Sequence, residues 1–155
     1  MFSTKKLGPI STSHRNWRAA DSENRDATKC SWCHGYSRYI KFTFQGEVDE
    51  RGWVFDFGDT KFIKEWLDHN WDHKTLVSDD DPELEYLKEM DKRNILKINI
   101  IDTSTGWNPG MEGCGKWVYD CINPIVLSRT NNRVSIAKIE IWEHEGNSAC
   151  YVPND

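Results

Sequence analysis

The chain has 155 residues, enough for one domain spanning 1–155 that buries its own core without disulfide staples. Hydrophobic residues make up 37% and charged ones 29%, with only 10 Gly and 5 Pro, which excludes collagen-like, low-complexity and disordered chains. The formal charge of −5 argues against a protein that grips a nucleic-acid backbone but leaves room for a small basic pocket for a phosphorylated metabolite.

In chain order, Phe2 to His14 reads as a strand interrupted at Gly8-Pro9, and 19–28 as a polar loop. From Tyr36 to Val48, Ile40, Phe42 and Phe44 alternate with Lys41, Thr43 and Gln45, a period-two strand signal. Asp49-Glu50-Arg51-Gly52 reads as a turn into a short Trp53-Val54-Phe55 strand, which together predict a hairpin. Asp59 is the expected N-cap of a helix whose Phe62, Ile63, Trp66 and Leu67 form one apolar stripe. The acidic run Asp79-Asp80-Asp81 reads as a solvated loop before a short helix over 82–90. Ile95 to Ile101 predicts a short strand, and Asn108-Pro109 opens a helix with Trp117, Val118, Cys121 and Ile122 inward. Asn131-Asn132 is a turn, and Val134 to Trp142 and Ala149 to Val152 read as the last strands. Strands, then helices, then strands predict an α+β fold: an antiparallel sheet with helices on one face, its edges covered by oligomerisation.

No apolar run approaches the ~20 residues that span a bilayer. The segment Met1-Phe2-Ser3-Thr4-Lys5-Lys6 lacks the apolar core of a signal peptide, so a cytoplasmic location, with no membrane and no nucleic-acid partner, is expected. The odd cysteine count, 5, then points to free thiols.

The densest chemical cluster is Lys29-Cys30-Ser31-Trp32-Cys33-His34-Gly35-Tyr36. Cys30-x-x-Cys33-His34 matches a haem-attachment pattern, but that chemistry needs export. A closed zinc site would need a second cysteine pair at similar spacing, and there is none. The third reading is an open metal site, with a reactive thiol at Cys30, His34 as ligand and His14 beside it across the sheet. Position 36 shares a strand face with 34, and the residue there is Tyr36. Two Asp-His pairs, Asp68-His69 and Asp72-His73, offer an oriented imidazole for acid–base work, and spacing alone does not choose between them.

Read in order, these pieces resemble the family of 6-pyruvoyl- and 6-carboxytetrahydropterin synthases. Ile10 to His14 looks like its first strand, ending in a zinc histidine. Cys30-x-x-x-His34-Gly35-Tyr36 is similar to its C-x-x-x-H-G-H motif, and Gly52-Trp-Val-Phe-Asp56-Phe57 to its G-x-v-x-D-F turn. Asp72-His73-Lys74-Thr75-Leu76 looks like D-H-x-x-L, and Asn108-Pro109-Gly110-Met111-Glu112 like N-P-T-x-E. Glu143 falls where the family anchors the pterin.

The resemblance implies the tunnelling fold, a four-stranded antiparallel sheet with two helices on one face. Its trimers form barrels, and two trimers stack into a homohexamer with active sites between subunits. It implies Zn²⁺ held by His14, His34 and position 36, with Cys30, Asp72 and His73 catalytic and Glu112 and Glu143 on the substrate. The thiol spacing is similar to the 6-carboxy branch. That branch is implied to be a lyase that takes 7,8-dihydroneopterin triphosphate to 6-carboxytetrahydropterin, releasing acetaldehyde and triphosphate, on the way to 7-deazaguanines such as queuosine. The alternatives are the 6-pyruvoyl reaction or another altered substrate, or a non-catalytic pterin- or nucleotide-binding oligomer. Tyr36 and Gly110 depart from the family pattern, standing where it has His and Thr. Arg15 and Lys29 are candidates for the triphosphate.

Overall fold

The computed structural model describes residues 1–24 and 28–154, with Tyr36 described by its backbone alone. The strands are β1 (Phe2–His14), β2 (His34–Gly46), β3 (Lys74–Ser78), β4 (Ile98–Ile101), β5 (Val134–His144) and β6 (Asn147–Tyr151). The helices are α1 (Lys61–Asn70), α2 (Leu84–Lys92) and α3 (Met111–Arg129). The strands form one sheet in the order β4-β3-β1-β2-β5-β6. From β1 through β2 and β5 to β6 the pairing is antiparallel, while β1/β3 and β3/β4 are parallel. The α+β class holds, but the expected four-stranded antiparallel sheet is a six-stranded mixed one. The strand that the sequence hid is β3: four of its five residues are buried, so it carries no alternation. Continuous burial is what a parallel strand covered on both faces shows.

Alternation in β2 buries Ile40, Phe42 and Phe44 completely on the face that α1 and α3 cover. Helix α1 delivers Ile63 and Leu67 to that face, and α3 delivers Val118, Ile122 and Val126. Each fully buried aliphatic side chain of this kind contributes about 1.5–3 kcal/mol relative to an exposed one. Trp71 and Trp117 extend the core toward β3, their ring centroids 6.4 Å apart.

Strand β5 does not alternate evenly. Val134 and Ile136 are buried, and then Ile139 and Ile141, so the inward parity switches. Phe44 faces Ile136 and Thr43 faces Lys138, which makes Ala137 the extra residue of a β-bulge. Without the bulge a one-residue slip would turn Ile139 and Ile141 outward. The bulge therefore also sets which face Glu143, two residues beyond Ile141, presents.

Trp53-Val54-Phe55 is not a strand. Val54 and Phe55 are nevertheless buried, with the Phe55 ring stacked on Phe44 at 4.4 Å. The turn before them is closed by Asp49, whose Oδ1 accepts from the backbone N–H of Trp53 at 3.0 Å and of Arg51 at 2.9 Å. The Trp53 amide and the Arg51 guanidinium hold the Asp49 carboxyl down at about 2. The cap leading to α1 is Asp56 rather than Asp59: its Oδ1 accepts from Gly58 N–H at 2.8 Å, and the 3₁₀ turn Phe57–Thr60 precedes the helix. Asn131 and Asn132 form the expected turn with φ of 50° and 62°, the left-handed region that Asn tolerates.

Candidate active site

At the end of β1 and the start of β2, His14 lies opposite His34. The strand period puts Thr12, His14, His34, position 36 and Arg38 on the face that carries Ile40 and Phe42. The two imidazoles meet edge to face with centroids 4.5 Å apart. Glu143 reaches the same place from β5, its Oε1 3.7 Å from His14 Nε2. The sequence reading sets His14 and His34 side by side as metal ligands and gives Glu143 to the substrate; the structure brings these three together, while the side chain of Tyr36, the expected third ligand, lies outside the described residues.

Arg38 is not among the residues singled out from the sequence, yet it is completely buried at this cluster. Its guanidinium lies 2.6 Å from His14 Nδ1 and 3.4 Å from Cys114 Sγ, and over the Trp71 ring at 5.2 Å. Its Nε has no partner, and no carboxylate pairs with it, among the described residues. Burial, the Arg38 charge and His34 lower the His14 imidazole to about 3. His34 is held differently: its Nδ1 lies 2.6 Å from the Trp32 carbonyl. Because a carbonyl only accepts, His34 Nδ1 is the donor and Nε2 carries the lone pair.

Cys30 sits exposed in the 3₁₀ turn Lys29–Ser31. That turn is docked beside His14: Asn16 N–H donates to the Cys30 carbonyl at 2.9 Å, and Arg15 donates to the Ser31 carbonyl at 3.0 Å. Arg15 is consumed by a two-point ion pair with Asp81, at 2.5 and 3.0 Å, and does not stand as a triphosphate ligand. Asp81 is buried, and Asp80 pairs with Arg18 and accepts from Trp17 Nε1 at 3.0 Å. Asp79 and Asp80 are exposed, as a solvated loop before a helix expects, but Asp81 departs from that reading and clamps the loop through Arg15. Cys33 lies near the same pair, and burial pushes its thiol up.

Asp72 and His73 do not join this cluster within one chain. His73 lines a cavity of about 480 Å³ with Ser11, Ser13, Ser37 and Lys97. Ser11 and Ser13 alternate with Thr12 and His14, so this cavity opens on the other face of the sheet. The His73 ring is 81% exposed, and its Nδ1 lies 2.9 Å from Asp72 Oδ2. Its backbone has φ 54°, a left-handed conformation that is uncommon outside Gly and held by the 2.7 Å bond from its N–H to the Ser11 carbonyl. In the other candidate pair, Asp68-His69, Asp68 is bound to Lys64.

Glu112 lies in the first turn of α3 and borders a cavity of about 490 Å³ with Asn16, Arg18, Asn108 and Gly110. Gly110 is the N-cap of α3, and its N–H donates to Asn108 Oδ1 at 2.9 Å. A Cβ there would meet that oxygen at 3.0 Å, so the Asn108 side chain fills the space a Thr would take. Glu143 also borders a larger cavity, about 750 Å³, lined by Lys6, Tyr39 and Trp142.

Among the described residues the donor set does not fit zinc. A metal-bound histidine donates its other N–H to an acceptor. His34 does so, but His14 meets a guanidinium, which only donates. Among the described residues no group of three His, Cys, Asp or Glu side chains is placed to hold a metal.

A mixed sheet carrying paired imidazoles, a carboxylate and a separate Asp-His pair defines an α+β protein with a candidate acid–base site. The family model described as 6-pyruvoyl tetrahydropterin synthase matches residues 4–154, and the chain belongs to that family. It is 24% identical over 149 residues to the 6-carboxy-5,6,7,8-tetrahydropterin synthase of Aquifex aeolicus, covering 89% of this chain and 90% of that one. It is 36% identical over 58 residues to the protein of the same name from Rickettsia typhi, a match spanning 36% of this chain and 42% of that relative. Among solved structures, an uncharacterized protein from Wolinella succinogenes aligns over 99% of this chain and 98% of its own with TM-score 0.80 at 16% identity. The 6-pyruvoyl tetrahydropterin synthase of Caenorhabditis elegans aligns over 99% of this chain and 97% of its own with TM-score 0.63 at 19% identity. These structures share the fold. Among the described residues no helix is long and apolar enough to cross a membrane.

Proposed function

We propose that this chain is a lyase of the 6-carboxytetrahydropterin synthase type, acting on 7,8-dihydroneopterin triphosphate in the cytoplasm on a route to 7-deazaguanines. The observation that carries the reading is the presence of Cys30, the hydrogen-bonded Asp72–His73 pair and Glu143 beside His14, on a chain matched nearly end to end by the family. The names of the relatives favour the 6-carboxy branch.

The chain's own groups supply acid–base chemistry. The Cys30 thiol, exposed on a turn fixed by Arg15 and Asn16, is the base for the substrate side chain. His73, oriented by Asp72, exchanges the second proton. Glu143 accepts from the ring N–H and amino groups, with Glu112 as a second acceptor. His73 lies on the sheet face opposite the His14–His34 cluster, while the Cys30 turn is docked on Asn16 just beyond His14, so in this reading a second copy brings its His73 to the first copy's Cys30. The homohexamer with sites between subunits provides that arrangement. The open edges at β4 and β6 are where copies would add strands.

The Arg38–His14 contact favours a second reading, a pterin-binding oligomer without turnover. Mass spectrometry of products formed from 7,8-dihydroneopterin triphosphate tests both. The expected products are 6-carboxytetrahydropterin and acetaldehyde. A 6-pyruvoyl product would move the chain to the sister reaction. Tight substrate binding with no product would support the second reading.

A further inference from the structure

We infer that the His14–His34 cluster of this chain is not a zinc centre: Arg38 fixes His14 as the Nε2–H tautomer beside Glu143, so an N–H dipole stands against that carboxylate in place of a metal. The argument starts from what a guanidinium is able to do. It has five N–H donors and no acceptor, so at 2.6 Å from Arg38 the Nδ1 of His14 is the acceptor. In a neutral imidazole the single proton then sits on Nε2. That nitrogen lies 3.7 Å from Glu143 Oε1, an electrostatic contact rather than a hydrogen bond. Neither ring nitrogen of His14 offers a lone pair to a metal while Arg38 stays in place.

Arg38 has nowhere else to go. It is completely buried, stacked over Trp71 and bonded to Cys114, with no carboxylate partner among the described residues. A permanent cation held there also opposes a divalent cation at the neighbouring imidazoles. His34 alone keeps the arrangement of a ligand, its Nδ1–H on the Trp32 carbonyl. Arg38 and His14 are thus positioning residues for Glu143.

Three measurements test this, and none depends on which reaction the chain catalyses. The purified full chain is dialysed against excess zinc, passed through a desalting column and analysed for metal. The expected content is far below one zinc per chain, and one retained zinc per chain overturns the inference. Long-range ¹H–¹⁵N correlation of the His14 ring is expected to show an unprotonated Nδ1 and a protonated Nε2. The opposite tautomer overturns it. The double variant Tyr36→His/Arg38→Met, verified as folded by circular dichroism, is expected to gain zinc affinity by about 10–100-fold, the range that outer partners of a metal site command. No gain over the native chain would overturn Arg38 as the residue that excludes the metal. Arg38→Lys keeps a donor and is expected to keep the Nε2–H tautomer of His14, whereas Arg38→Met loses it. A purely packing role for Arg38 would leave the tautomer the same in both.

Discussion

Cys30→Ala is expected to lower kcat/KM on 7,8-dihydroneopterin triphosphate by about 10²–10⁴-fold, the span of a general acid–base group. The thermal midpoint should not move. Cys30 is exposed and its side chain adds nothing to the core, while the contacts that fix its turn run through its own carbonyl and that of Ser31. Those contacts survive the substitution. Steady-state kinetics together with a melting curve read the two effects separately. Activity within a few-fold of the native chain would remove Cys30 as the base.

Asp81→Ala is expected to be the most destabilising single substitution outside the apolar core. The Asp81 side chain has no solvent exposure, and that of Arg15 has 18%. The carboxylate holds Arg15 at two points and also accepts from the backbone N–H of Glu83 at 2.9 Å. Removing one partner leaves a largely buried guanidinium uncompensated, which costs about 3–5 kcal/mol. For a chain of this length that corresponds to a fall in Tm of roughly 6–20 °C. Because Arg15 also fastens the Ser31 carbonyl, activity should fall well below the melting range as the Cys30 turn loosens. A denaturant titration checks the stability, and a change under about 1 kcal/mol would show that the pair is solvated after all.

The same residue shows why part of the site was hidden from the sequence. Local pattern predicts elements whose burial alternates, as in β2, or follows the helical period, as in α1. It gave Asp79-Asp80-Asp81 the reading that acidic runs usually deserve, because the Arg15 partner lies 66 residues away. Strand β3 failed for a related reason: burial on both faces erases the period. In β5 the alternation breaks at Ala137, and the apolar parity change between Ile136 and Ile139 is visible in the sequence once a bulge is considered. His14, His34 and Glu143 were found through motif order, and the structure places them together. Arg38 was missed because a basic residue on a strand reads as solvent-facing. The signal available was parity: Arg38 shares its face with Ile40, Phe42 and Phe44, a position where a charge has to find a buried partner. The parity that exposes Arg38 also separates His73 from His14, since Ser11 and Ser13 of β1 face the cavity that His73 lines.

That separation underlies the account of catalysis, in which one copy's Cys30 works with another copy's His73. Its most direct test is to unfold and co-refold Cys30→Ala chains with His73→Ala chains, each inactive alone, and to measure turnover of 7,8-dihydroneopterin triphosphate. The account predicts that the mixture regains activity, because some interfaces pair an intact Cys30 with an intact His73. A mixture that stays inactive, although size-exclusion chromatography and circular dichroism show folded mixed oligomers, would contradict it.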